Sequence, residues 1–110
     1  MSEISKLYER VGVKKVRQTN IAGGDYPIAV GFEDYPPFTA EKQISILKLL
    51  TQQCDLTISH FSEWEFIHFD GQEPIQVTGE DFAETFAKLI NAYWQSLTEE
   101  EKQQIKEILK

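Results

Sequence analysis

Apolar side chains recur at helical spacing in four stretches of this chain and follow strand-like patterns in five others. Ser2–Arg10 reads as a short first helix, with Ile4, Leu7 and Tyr8 on one face and Gly12 as its stop. Val13–Gln18 is an expected strand bearing Lys14, Lys15 and Arg17. Asn20–Tyr26 is expected to be a loop, because Gly23-Gly24 reaches positive φ without steric cost. Ile28–Phe32 is a second strand. Pro36-Pro37 then interrupts the backbone hydrogen bonding, and Thr39 caps an expected helix running to about Gln53. In that helix Ile44, Ile46, Leu47, Leu49 and Leu50 make a broad apolar face, which predicts extensive burial. Phe38, just before the cap, is expected to staple onto the helix it introduces.

Leu56–Phe61 and Trp64–Phe69 are β-favouring runs separated by a hairpin-length gap. Pro74–Val77 is a third short run. Its proline cannot donate to a ladder, so an edge position is expected. Thr78-Gly79-Glu80-Asp81 opens a helix with Thr78 as the expected cap, and Phe82, Phe86, Leu89 or Ile90, Tyr93 and Leu97 follow at helical spacing. Thr98 and Glu101 form a capping box for a last helix with Ile105, Ile108 and Leu109 as its stripe. The element order α-β-β-α-β-β-β-α-α implies a single α+β domain over residues 1–110. Its expected core is one small antiparallel sheet of about four to five strands, with helices mainly on one face and two consecutive C-terminal helices.

Size and composition agree with one folded domain. The 110 residues are 41% hydrophobic and include seven Phe, four Tyr and two Trp, which disfavours disorder. The lone Cys54 forms no intrachain disulfide and suits a reducing compartment. The N-terminus lacks the pattern of a secretory signal, no apolar run is long enough to span a bilayer, and a cytoplasmic location is expected.

Charge changes the picture most. Residues 1–60 carry seven basic and seven acidic side chains, whereas 61–110 carry four and eleven, so the net −7 lies in the second half. Between Lys48 and Lys88 there is no Lys or Arg. This balance argues against direct nucleic-acid binding and favours a basic protein partner, docked through Glu63, Glu65, Asp70, Glu73, Glu80, Asp81 and Glu84. The competing explanation is that these acids are helix caps, edge protection and solubilising charge. A DNA-mimic inhibitor is a minor alternative, thin beside the charge density of a duplex.

The other candidate chemistry is weaker. A hairpin turning over Glu63-Trp64-Glu65 would set His60 opposite His68, with Glu65 or Asp70 to complete a small ligand or metal site. The spacing nevertheless matches no zinc motif, so no metal, cofactor or catalytic residue is assigned. Cys54 sits at an expected helix C-terminus beside Asp55, a setting that favours an inert thiol. Ser59 and Ser62 lack a nucleophile elbow, and Gly23-Gly24 lacks the Lys-Ser or Lys-Thr of a phosphate loop. The expected function is therefore non-enzymatic: an adaptor or inhibitor. Homo-oligomerisation is a further option, through Ile44–Leu50 if that face is exposed or head-to-tail through Lys14, Lys15 and Arg17, which could equally meet the acidic half within one chain.

Overall fold

A computed structural model describes residues 2–22, 28–52, 55–69 and 73–110. Two of the three helix caps expected from the sequence, Thr39 and Thr98, are where its helices begin, and Ser2, expected to be the first residue of a helix, is itself a cap. Ser2 accepts from the Ser5 N–H at 3.0 Å and starts α1 (Glu3–Val11), which Gly12 ends at φ 81° in the left-handed region. Thr39 accepts from the Lys42 N–H and starts α2 (Ala40–Leu50). Thr98 and Glu101 complete the capping box of α4 (Glu99–Leu109). The exception is α3 (Phe82–Ala92), which is capped by Asp81 rather than Thr78, the Asp81 carboxylate accepting from the Glu84 N–H at 2.9 Å. Thr78 is used elsewhere. It lies in β5 (Ile75–Gly79), whose ladder runs on until Gly79 pairs with Trp64.

The strands form two sheets, not the single sheet of four to five strands that the element order implies. β1 (Val16–Ala22) and β2 (Ile28–Asp34) make a two-stranded antiparallel ribbon, with Val16 opposite Asp34 and Ala22 opposite Ile28. Both strands begin or end outside the spans read from the sequence, and the expected Gly23-Gly24 turn lies outside the described residues. The ribbon pairs with none of the other described strands. Its base is anchored instead by Tyr35, whose ring stacks on Tyr8 at 5.2 Å.

β3 (Asp55–His60), β4 (Trp64–Phe69) and β5 form the second sheet, in the order β3-β4-β5 and antiparallel throughout. α3 lies on one face of it, with Phe82 and Phe86 against Phe66. α1 packs on α3 and α4, and α2 packs on α4. A turn of 3-10 helix, Trp94–Ser96, separates α3 from α4, so the two C-terminal helices are not consecutive and Tyr93 and Leu97 fall outside α3.

Tyr8, Leu7, Ile46, Phe66, Phe86 and Ile105 lie at the centre of the core. A run of touching rings crosses it, from Tyr35 through Tyr8, Phe38, Phe86, Phe66, Phe82 and Trp64 to His60. Phe38 belongs to this run, and Gln43 on α2 donates to its carbonyl. α2 is also less buried than its pattern implies. Its apolar face is wider than its contact with α4, leaving Ile44 52% exposed. The molecule is elongated, 58 × 35 × 22 Å with a radius of gyration of 16.4 Å.

Candidate functional site

The β3–β4 hairpin turns through Phe61-Ser62-Glu63, with His60 opposite Trp64. Trp64 anchors this end: its ring meets Phe82 edge-on at 4.9 Å and His60 at 4.6 Å. Phe61 projects from the turn and is 91% exposed. On the other side of β4, Trp64 pairs with Gly79, so Glu63 and Glu80 leave the ladder next to each other, followed by Asp81 at the start of α3. All three acids are exposed. This end of the sheet therefore carries the exposed Phe61 and three exposed acids, Glu63, Glu80 and Asp81.

The remaining acids of the expected surface go elsewhere. Glu65 projects from the face of β4 opposite the helices and accepts from the Gln76 amide at 2.6 Å. Glu73 precedes β5 at the far end of the sheet, about 20 Å along an extended strand from Gly79. Asp70 lies outside the described residues. Glu84 turns toward α1, where its carboxylate accepts the Glu3 backbone N–H at 2.8 Å. Asn91, two turns further along α3, donates to the Glu3 carbonyl and carboxylate, each at 3.0 Å. Burial pushes the Glu3 carboxyl up, but the Asn91 hydrogen bond and neighbouring Lys6 outweigh it, leaving the group below the usual carboxylate range. Glu84 is thus a cap supplied to one helix by another.

His60 and His68 do not meet. The turn is centred two residues earlier than the sequence reading placed it, which keeps both on one face but moves His68 opposite Leu56. Four residues of strand, about 13 Å, separate the two. His60 is exposed, whereas His68 is buried with its ring stacked on Tyr93 at 4.1 Å. Among the described residues no three His, Cys, Asp or Glu side chains converge as metal ligands. Cys54 lies outside the described residues. Among the described residues, Lys14, Lys15 and Arg17 form no ion pair with the acids of 63–84. Lys15 lies over the Tyr35 ring and Arg17 along Gly31 of the ribbon.

Two of the depressions on the described surface border α2, one open and one lined by aromatic rings. One, of about 450 Å³, runs between α2 and α4 and is bordered by Leu49 and Ile108 together with Gln52, Gln103 and Gln104. The other, of about 240 Å³, is apolar and lies behind the hairpin, bounded by Ile44, Leu47, Phe66, Phe82 and Phe86. Among the described residues, no helix is long and apolar enough to cross a membrane.

Phe61 was readable in the sequence by parity. Leu56, Ile58 and His60 alternate onto the helix-facing side, so Phe61 falls with Thr57 and Ser59 on the polar side. No family model, curated protein or solved structure matches this chain.

Proposed function

We propose that this chain is a non-enzymatic interaction module, an adaptor or inhibitor, that docks a basic protein surface through the hairpin tip. The observation behind this reading is the Trp64–Gly79 pairing, which brings Glu63 beside Glu80 at the same end of the sheet as the exposed Phe61. Like charges side by side at a strand end disfavour the free chain, and an exposed phenyl ring beside them offers apolar area that a partner can remove from water. A cationic partner relieves the repulsion and covers the ring. An aromatic anchor within a polar rim is also the usual composition of an energetic hot spot, and the acidic residues at this end would speed encounter. The lone Cys54 suits a cytoplasmic setting.

The test places a photo-reactive phenylalanine analogue at position 61 of the whole chain and compares it with the same chain carrying Glu63→Lys and Glu80→Lys. Asp81 and Glu84 are left alone because they cap helices. Crosslinking to a basic protein, reduced about tenfold by the double reversal and by high salt, is expected. Equal crosslinking by both chains would refute the reading.

A further inference from the structure

The strand order leaves β3 and β5 at the edges of the three-stranded sheet, and the two edges are built differently. The Phe61 N–H donates to the Glu63 carbonyl at 3.3 Å, just beyond the last ladder pair. In an antiparallel ladder the direction of the peptide groups alternates, so this bond orients the whole strand. Thr57 and Ser59 bond inward to β4, and Leu56, Ile58 and His60 direct their N–H and C=O groups away from it. Carried across β4, the same alternation directs Gln76 and Thr78 outward from β5. The Lys88 amine accordingly sits on the Thr78 carbonyl at 3.3 Å.

That amine, and Pro74 immediately before the strand, blunt the β5 edge. β3 has neither device. Asp55–His60 contains no Lys, Arg or Pro, and its register with β4 runs unbroken from Asp55–Phe69 to His60–Trp64, with no bulge to twist the edge away. Ile58 lies on the helix-facing side opposite buried Phe66, yet it is 36% exposed. Ile44 of α2, which shares the apolar depression with Phe66, is more exposed still.

We propose that the β3 edge pairs with the β3 edge of a second copy, antiparallel and centred on Ile58. The strand is self-complementary in this register. Ile58 faces Ile58 of the partner copy, Leu56 faces His60, and Thr57 faces Ser59, so helix-side residues meet helix-side residues and polar meet polar. A slip of one residue would turn each apolar side chain onto a polar one. A slip of two in either direction would leave an outward peptide group unpaired. Only the centred register engages Leu56, Ile58 and His60 of both copies, giving about six inter-strand hydrogen bonds. No two charged side chains face each other across the junction. The result is a two-fold dimer with a continuous six-stranded sheet, both helix layers on one side, and Ile58 covered.

Sedimentation equilibrium of the whole chain from low micromolar to submillimolar concentration, paired with backbone amide exchange, tests this. The mass should double from 12.7 kDa. Amides of Leu56, Ile58 and His60 should slow about tenfold or more as the dimer forms, while Thr57 and Ser59 stay protected throughout. Ile58→Lys, at a position already open in the single chain, should abolish both effects. A chain monomeric over the whole range overturns the proposal. So does a dimer in which those three amides exchange as fast as in the dilute chain, and this second result holds whether or not the variant folds.

Discussion

Replacing Glu84 with Ala removes the only side chain that caps the first turn of α1 from another element among the described residues. At the sequence level Glu84 is one of four surface acids, with Glu63, Glu65 and Glu73, whose reversal should remove binding and spare the fold. The structure reverses that expectation. Its carboxylate accepts the Glu3 N–H at 2.8 Å in a half-buried setting, at the positive end of a nine-residue helix. A side-chain cap contributes about 0.5–2 kcal/mol and a negative charge at a helix N-terminus about 0.3–1. The two descriptions overlap, so about 1.5 kcal/mol is expected for Glu84→Ala, lowering Tm by about 6 °C in a domain of this size. Glu84→Gln keeps an acceptor but loses the charge, and should cost about 0.5 kcal/mol. Glu84→Lys should be the worst of the three, because it sets a cation against the helix dipole. Thermal unfolding followed by circular dichroism, repeated at high salt, separates the contributions: the Glu-to-Gln difference should shrink with salt and the Gln-to-Ala difference should persist. A Tm for Glu84→Ala within about 1 °C of the parent would refute the reasoning and return Glu84 to the free surface.

Gly79→Ala should destabilise by about 1–3 kcal/mol, read from the urea midpoint, because a methyl group there would collide with the Thr85 hydroxyl, which is held by the Asp81 carbonyl at 2.6 Å. Tyr8 is fully buried, its hydroxyl finds no hydrogen-bond partner among the described residues, and burial pushes its pKa up to about 12 from 10.0. The neutral form is favoured in the folded chain, so this contribution to stability is complete below pH 10 and is lost as pH rises toward 12. Tyr8→Phe should therefore flatten the alkaline limb of a stability–pH profile without lowering stability at neutral pH. A parallel alkaline decline in both proteins would count against this account.

Where local signals were unambiguous, the sequence reading matches the structure. The Thr98–Glu101 capping box and the Gly12 stop need only neighbours three or four residues away. The start of α3 was misplaced because Thr78 and Asp81 are both competent caps, and the choice is made by a distant event, the pairing of β5 with Trp64. The hairpin histidines illustrate the same dependence. Moving the turn centre by two residues preserves which face each occupies, so parity was legible although the cross-strand partner was not. Whether β1 and β2 join the other strands has no local signature, since it depends on where the helices spend their apolar faces. The role of Glu84 spans 81 positions of sequence, and nothing near either residue announces it.

The ribbon that stands apart from the sheet makes this a poorly packed shape for its mass. A compact chain of this length has a radius of gyration of about 13 Å, against 16.4 Å here. Such a particle experiences excess friction, so a lone copy should emerge early from a gel-filtration column and tumble slowly in solution. Calibrated against spherical standards it would pass for something heavier, and elution volume alone would report pairing where there is none. Mass must therefore be read from sedimentation or scattered light, and the frictional ratio of the single chain becomes a direct reading of how far the ribbon reaches beyond the core.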